Sequence, residues 1–305
     1  FYGYFPHSWR QHIRGGGFRP IVFLEHGLVL GIFLCCSLLA AVACFRARVA
    51  KDRWRFLLIA AWLLMTLLLS KTLGALMIAL FLLPVLLFVN VRAQLLVAGT
   101  LGAIVLLFPM LRGADLVPTD QILSFSERID PARAGSLAYR FENEDRLLDK
   151  ANEKALFGWG GWGRSRVFDE RGYDIATTDG RWVIVFGMGG WTRYIGEFGL
   201  LTFSVILLAL RSRSMNVSLA TSGLSIVLTG NLIDLIPNSG LSPVTWLLAG
   251  ALYGRLEVGR EEASQPIGPA AARKIGAGYA RNAGAGPDSE EGTASGMSDT
   301  PLNAY

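Results

Sequence analysis

The chain has 305 residues, of which 52% are hydrophobic and 17% are charged, and its mean hydropathy is +0.40. A soluble core of this size does not need such a balance, whereas a bundle of membrane helices does. The formal net charge of +5 would suit nucleic acid, but the basic residues cluster between apolar runs, so we expect no nucleic-acid partner.

Seven long, nearly charge-free apolar runs follow one another along the chain, and each predicts a membrane helix. They are Ile21–Phe45, Phe56–Ser70, Thr72–Val89, Leu95–Leu111, Tyr194–Leu210, Leu219–Leu235 and Val244–Tyr253. Some are shorter than the roughly 20 residues of a helix that crosses a bilayer at right angles, and flanking residues at the interface make up the difference. The runs predict an all-α fold, a polytopic transmembrane helix bundle.

The basic residues indicate which side each connection faces. The clusters are Arg46, Arg48, Lys51, Arg53 and Arg55 after the first run, Arg92 after the third, Arg211 and Arg213 after the fifth, and Arg255 and Arg260 after the last. When the sides alternate, all four clusters fall on one face, which the positive-inside rule assigns to the cytoplasm. The N-terminal segment and a long loop after the fourth run then face the exported side.

The two ends of the chain carry their own expectations. The sequence begins with Phe1 and no signal peptide precedes the runs, so we expect it to be the C-terminal part of a longer membrane protein. Residues 257–305 are rich in Pro, Gly, Ala and Ser without an apolar period, which predicts a disordered cytoplasmic tail.

The long exported loop contains a predicted amphipathic helix. Its apolar face is given by residues at spacings of three, four and seven: Leu137, Phe141, Leu148, Ala151 and Ala155. Ser136 is the candidate N-cap, Glu142 and Arg146 stand four apart in the favourable order, and Gly158 is the expected end.

The segment FGWGGWGRSR, residues 157–166, follows that helix and matches the glycine spacing of a dinucleotide-binding turn. Such a turn needs a strand before the glycines and a helix after them, whereas here a helix precedes and a polar loop follows, so we exclude a nucleotide site. Trp159 and Trp162 remain, beside Arg164 and Arg166. They suit a sugar and a phosphate, or else the tryptophans belong to the membrane-interface belt.

Further charged residues suggest a site for an anionic substrate. Arg140 and Arg181 lie in the loop, and Arg14 and Arg19 flank three glycines in the N-terminal segment. Arginine binds diphosphate well, although for any single arginine pairing with nearby acids is the favoured explanation. Arg193 and Glu197 stand four apart at the mouth of the fifth run, where they mark a substrate path or form a structural pair.

Several short motifs in this order resemble the O-antigen polymerase and O-antigen ligase superfamily. They are Arg14–Pro20 (RGGGFRP), Ser70–Leu80 (SKTLGALMIAL), Arg140, Ala155–Gly160 (ALFGWG) and Glu197–Leu201 (EFGLL), within a stretch from about Trp9 to Gly254. Lys71 stands where arginine is usual in the family.

The resemblance implies a bacterial inner-membrane enzyme that acts on the periplasmic face without a metal or other cofactor. Its substrate would be a glycan carried on undecaprenyl diphosphate, and arginines would stabilise the diphosphate leaving group. We expect catalytic roles for Arg140, Arg193 and Glu197. Substrate binding is expected of Arg14, Arg19, Trp159, Trp162, Arg164, Arg166 and Arg181. The lipid bilayer and a chain-length regulator are the other expected partners.

Together these signals predict the organisation of the chain. Residues 1–20 form a periplasmic loop, residues 21–112 four transmembrane helices, residues 113–193 a large, partly helical periplasmic loop, residues 194–256 three transmembrane helices, and residues 257–305 the tail.

One departure from the family favours a polymerase. Ligases carry a histidine near the end of the large loop, whereas His7, His12 and His26 are all far upstream. The candidate bases are Glu197, Asp179 and Glu142, which the sequence does not rank. A ligase that acts on lipid A core with another base, and a transporter or glycan-assembly scaffold whose loop only binds, stay open.

Overall fold

The computed structural model describes residues 13–14, 16–24, 26–47, 53–129, 131–177 and 179–264. Within these ranges the chain forms helices and one antiparallel pair of two-residue strands, β1 (Ile13–Arg14) and β2 (Gly17–Phe18). The helices are α1 (Gly27–Ala47), α2 (Arg53–Leu69), α3 (Leu73–Phe88), α4 (Val91–Gly113), α5 (Thr119–Ile129), α6 (Pro131–Asn152), α7 (Arg181–Leu210), α8 (Leu219–Asp234) and α9 (Pro243–Ser264). The predicted disorder of the tail beyond Ser264 lies outside the described residues.

All seven apolar runs form helices, α1 to α4 and α7 to α9, so the all-α prediction is confirmed for the described chain. Three of them, α1, α4 and α7, are long and apolar enough to cross a membrane, and α3 and α8 are shorter apolar helices. The amphipathic helix of the loop is α6, and α5 precedes it without having been predicted.

The predicted N-cap of α6 is wrong. The helix begins at Pro131, so Ser136 lies inside it. Proline suits the first helical position because its missing N–H has no partner there anyway. The apolar period that guided the prediction starts only at Leu137, beyond the first turn of the helix.

The helix bundle lies in one compact unit, formed by the described residues up to Gly259. Helix α1 packs against α2, α3 and α8, while α4 packs against α7 and α8. A methyl group on Gly99 of α4 would lie 2.3 Å from the Cβ atom of Ala209 in α7, so the two backbones approach closely. The loop helix α6 rests on α7.

Helix ends inside the bundle are capped by side chains. Asn90 and Ser218 accept main-chain hydrogen bonds from Ala93 and Thr221 at the starts of α4 and α8. The last carbonyl groups of α3 accept hydrogen bonds from the buried amide of Gln94 and from the guanidinium of Arg46. These bonds satisfy main-chain groups that have no partner within their own helix.

The outer face of the bundle is apolar. On α2, the side chains of Leu58, Trp62 and Leu69 are exposed, and on α3 those of Leu80 and Phe81 are exposed as well. Contiguous apolar surface of this kind is rare on a monomeric soluble protein and marks contact with lipid or with another protein.

Helix α7 is broken at Gly190, which has φ 60° and ψ −159°. The side chains of Arg181 and Glu197 lie on opposite sides of the break, and their Nε and Oε1 atoms are 2.6 Å apart. In a straight helix the two residues would lie about 24 Å apart along the axis, at 1.5 Å per residue. The two halves are therefore folded towards each other.

The first half of α7 lies within the stretch predicted as loop. The sequence placed the helix start near Tyr194, whereas the structure places it at Arg181. Gly187, Gly189 and Gly190 interrupt the apolar pattern there and concealed a helical segment that ends at the break.

Candidate functional site

A cavity of about 610 Å³ lies between the start of α1, helix α6 and the turn from α8 to α9. Its lining contains four charged residues, two basic and two acidic: Arg19, Arg140, Asp179 and Asp234. Leu28, Val29 and Ile32 of α1 form an apolar wall. The cavity thus offers both an anion-binding side and an apolar side.

Arg140 on α6 is a half-buried side chain of the cavity and is held by two contacts. Its Nη1 atom donates a hydrogen bond of 3.0 Å to the carbonyl oxygen of Pro237, in the turn after α8. Its Nε atom lies 3.4 Å from Oδ2 of Asp179, which precedes α7. The guanidinium therefore keeps donors available for a further anion, because it has five N–H groups in total.

Arg19 reaches the same cavity from the segment after the β1–β2 hairpin, and only 9% of it is exposed. A methyl group on Gly27 would lie 2.2 Å from Cδ of Arg19, so this glycine leaves room for the arginine stem. Arg14 lies in β1, where its backbone pairs with Gly17. Of the two expected arginines of the N-terminal segment, the structure thus assigns Arg19 to the cavity.

Asp234 is a cavity residue that the sequence analysis did not single out. It lies at the end of α8, is almost fully buried, and accepts a 2.8 Å hydrogen bond from Nδ2 of Asn238. A signal was present, because a lone acid in the run Leu219–Leu235 is the kind of embedded charge that marks a functional site.

The other expected catalytic residues form a separate cluster, which does not line the cavity. Glu197 is 11% exposed and bridges two arginines across the break in α7. Its Oε1 atom lies 2.6 Å from Nε of Arg181, and its Oε2 atom lies 3.8 Å from Nε of Arg193. The predicted pairing of Arg193 with Glu197 is present, but Arg181 makes the closer contact.

The glycine and tryptophan motif caps the break in α7. The N–H groups of Trp159 and Gly160 donate to the carbonyl oxygens of Gly187 and Met188, at 2.9 and 2.8 Å. These carbonyl groups end the first half of α7 and have no partner within it.

The same segment also caps the start of the second half of α7. The N–H groups of Trp191 and Thr192 donate to the carbonyl oxygens of Ala155 and Leu156, at 2.7 and 3.2 Å. A segment of six residues, Ala155–Gly160, therefore satisfies both ends of the interruption.

Two glycines make this contact sterically feasible, and both have positive φ. A methyl group on Gly158 would lie 2.5 Å from the backbone of Met188, and one on Gly190 would lie 2.3 Å from the carbonyl oxygen of Ala155. Any side chain at either position would collide with main chain, which cannot move aside.

Trp159 is packed into this cap. Its Nε1–H donates a 2.7 Å hydrogen bond to the carbonyl oxygen of Lys150, and the amino groups of Lys150 and Lys154 lie 4.5 and 4.0 Å from its ring centroid. Its ring face is thus in contact with cations of its own chain, which leaves it poorly placed to stack on a sugar.

The remaining residues of the motif lie at the surface and do not line the cavity. Trp162 is 98% exposed, which suits either an interface anchor or a ligand contact. Arg164 donates to the carbonyl oxygen of Gly161, and Arg166 forms a 2.7 Å ion pair with Asp174. The structure thus separates the motif from Arg19 and Arg140.

Glu144 is a second buried acid that the sequence analysis missed. It lies on α6, four residues after Arg140, and accepts a 3.4 Å hydrogen bond from Nε1 of Trp182 at the start of α7. Burial raises the pKa of Glu144 to about 7, against the opposing effects of the Trp182 hydrogen bond and the Arg112 charge. No sequence pattern distinguishes it from the other acids of α6, since its burial depends on the contact with α7.

The three candidate bases have different surroundings. Asp179 lines the cavity, whereas Glu197 is held by two arginines outside it. Glu142 is exposed and forms the predicted ion pair with Arg146, at 2.6 Å. Only Asp179 of the three lies where a ligand of Arg140 would be bound.

No model of a known protein family, no curated protein and no solved structure matches this chain. In the described part of the chain, no three His, Cys, Asp or Glu side chains are grouped so as to hold a metal ion. The geometry defines a helical protein with three helices able to cross a membrane, and a charged cavity with one apolar wall.

Proposed function

We propose that the chain is a multi-pass protein of the bacterial inner membrane that polymerises O-antigen or a related exopolysaccharide. The observation that carries this proposal is the meeting of Arg19 and Arg140 at one cavity. They come from two separate segments that resemble the same superfamily, and nothing in their sequence spacing requires them to meet.

A membrane location with a periplasmic loop rests on two features. The exposed apolar side chains of α2 and α3 suit contact with lipid, which would otherwise face water at a large cost. The four basic clusters fall on one side when the helices alternate, which supports a periplasmic position for the loop of residues 113–193.

The cavity suits a lipid-linked glycosyl diphosphate. The apolar wall of α1 would face the first isoprene units, and Arg19 and Arg140 would bind the diphosphate. In the proposed reaction an acceptor hydroxyl attacks the anomeric carbon, and the bond from that carbon to the diphosphate oxygen breaks. The diphosphate leaves with the electron pair, and the two arginines stabilise its negative charge.

Of the three candidate bases from the sequence, Asp179 is the one that this arrangement favours. It pairs with Arg140 before the substrate binds, at 3.4 Å. A diphosphate that takes over the guanidinium would release the carboxylate, which would then accept the proton of the attacking hydroxyl. Asp234 lies in the same cavity and would hold the acceptor through the Asn238 side chain or directly.

The test is a gel of surface and lipid-linked glycan from cells that lack the gene, rescued with wild type or with Arg140→Ala. We expect single-repeat glycan in the deletion strain, full-length polymer with wild type, and no elongation with Arg140→Ala at an equal amount of protein in the membrane fraction. Arg140→Lys should recover little, because an ammonium group does not replace the guanidinium fork.

Arg146→Ala is the matched control. Arg146 is an exposed arginine of the same helix, paired with Glu142, and it does not line the cavity. It should elongate normally. Full-length polymer stranded on its lipid carrier would instead indicate a ligase, and an unchanged ladder in the deletion strain would indicate a transporter or scaffold. Wild-type chain length with Arg140→Ala would refute the role of the cavity.

Arg193→Ala tests the second cluster separately. Arg193 is 43% exposed and its contact with Glu197 is long, so removing it should cost less than about 1 kcal/mol of stability. A loss of elongation with unchanged membrane abundance would support a catalytic role for Arg193. Normal elongation would leave the cluster a structural clamp across the break in α7.

A further inference from the structure

A second cavity, of about 720 Å³, lies between α4 and α7 at the opposite end of the bundle from Arg140. It is formed by the first half of α4 and by the end of α7 with the turn that follows. Its lining contains two arginines, Arg92 and Arg213, and no acidic residue. Both arginines are exposed at the mouth of the groove.

The floor of this groove is made of small and apolar residues. Gly99, Ala103 and Ala209 leave a shallow channel along the contact between the two helices, and Leu96 and Ile206 form its sides. Gly99 has no side chain, so the backbones of α4 and α7 lie close together and form the bottom of the channel. The side chain nearest to Gly99 is that of Ala209.

The length of the groove matches one leaflet of a bilayer. From Arg92 to Ala103 the helix rises about 16 Å, at 1.5 Å per residue. Half of the roughly 30 Å hydrocarbon thickness of a bilayer is about the same. The positive charge lies at one end of the groove and the apolar floor extends from it. A phospholipid lying along the groove would place its phosphate at the charged end and an acyl chain on the floor.

We propose that this groove binds an anionic phospholipid of the inner leaflet, with the headgroup phosphate on Arg92 and Arg213 and one acyl chain along α4. The proposal rests on the membrane location proposed above, but not on any glycan chemistry. The inner leaflet attracts basic residues near its surface, and pockets of basic residues between helices on that side hold anionic headgroups. Charge complementarity therefore selects an anionic lipid over a zwitterionic one.

The experiment is native mass spectrometry of the full chain purified in detergent and titrated with phosphatidylglycerol or phosphatidylcholine. We expect wild type to retain phosphatidylglycerol preferentially. Each guanidinium near the surface should contribute about fivefold to that preference. The variant Arg92→Gln/Arg213→Gln should retain the two lipids equally.

Two further variants separate charge from shape. Arg211→Gln is the matched control, because Arg211 lies in the same turn as Arg213 but outside the groove lining, and it should behave as wild type. Thr100→Trp fills the channel from an exposed lining position, so it should lower the retention of both lipids.

Several results would overturn the proposal. Equal retention of the two lipids by wild type would do so, as would an unchanged preference in the double variant or undiminished binding to Thr100→Trp. Displacement of phosphatidylglycerol by millimolar inorganic phosphate would mean that the groove binds phosphate without an acyl chain. A protein found in the soluble fraction would refute the membrane location instead, and a normal glycan ladder would bear only on the first cavity.

Discussion

The cavity beside α1 and the break in α7 both contain conspicuous residues of the sequence, yet they use them in opposite ways. In the cavity, Arg140 and Asp179 are partly exposed side chains joined by a loose 3.4 Å contact. At the break, Ala155–Gly160 is joined to α7 by four main-chain hydrogen bonds. Side chains with unused hydrogen-bond donors or acceptors can bind a ligand. Main-chain groups that are already hydrogen-bonded to the interrupted helix cannot.

The geometry favours a structural role for the glycine and tryptophan motif. Trp159 is bonded to Lys150 and covered by two ammonium groups. The flexible backbone that suggested a ligand loop is instead fixed against Gly190. The candidate site therefore moves to residues with less conspicuous surroundings, above all Arg19 and Asp234.

Gly190 is the residue of the α7 break that is most sensitive to substitution. Replacing it by alanine puts a methyl group 2.3 Å from the Ala155 carbonyl oxygen at a φ of 60°. We expect Gly190→Ala to lower the free energy of unfolding by more than about 4 kcal/mol, the range of severe main-chain clashes. Thermal unfolding in detergent and the yield of folded protein measure this loss.

Gly196→Ala is the control for this substitution. Gly196 lies in the same helix with open space around its Cβ position, so alanine should be neutral or stabilise the helix by up to about 1 kcal/mol. Equal melting temperatures of Gly190→Ala and wild type would show that Ala155–Gly160 does not cap the break.

This contrast also shows what the sequence could predict. The apolar runs are long and nearly free of charge, so all seven helices outside the loop were predicted with the correct type. The break in α7 was not, because Gly189 and Gly190 look the same in a helix interior as in a loop. Its cap depends mainly on main-chain bonds between segments some 30 residues apart, and the main-chain groups that make them are the same in every residue except proline.

The sequence identified single residues of the candidate site, but it did not show which of them lie together. Arginine at a motif position identified Arg19 and Arg140, but sequence spacing could not tell that Arg193 and Glu197 would lie in another cluster. Asp234 carried a readable signal as an acid in an apolar run. Glu144 carried none, since α6 exposes several acids and only the packing of α7 selects the one that is buried.

Glu144 joins the helix of Arg140 to the first half of α7, and it should make the stability of the protein depend on pH. Its pKa rises from 4.5 to about 7 because it is buried, so the folded state binds this proton more tightly than the unfolded state. The stability that the proton supplies is complete below about pH 4.5 and is lost as the pH rises towards 7. The loss amounts to at most about 3 kcal/mol.

Melting temperatures in detergent between pH 4.5 and 8 check this sign. Glu144→Gln keeps an acceptor for Trp182 but does not titrate, so its melting temperature should vary less with pH. Glu142→Gln is the control on the exposed face of α6 and should keep the wild-type profile. A wild-type profile for Glu144→Gln would mean that Glu144 is not the titrating group.

The smallest expected effect separates the two tryptophans of the motif. Trp159→Phe keeps an aromatic ring but removes the Nε1–H that bonds the Lys150 carbonyl, which should cost about 1 kcal/mol of stability. Trp162→Phe changes a side chain that is 98% exposed and should cost no measurable stability.

If both variants elongate glycan normally, the motif is purely structural. If Trp162→Phe retains wild-type stability but shortens the glycan, Trp162 contacts substrate or membrane, and only the glycines and Trp159 belong to the cap. Equal unfolding midpoints for the two variants would contradict the packing of Trp159 against α6.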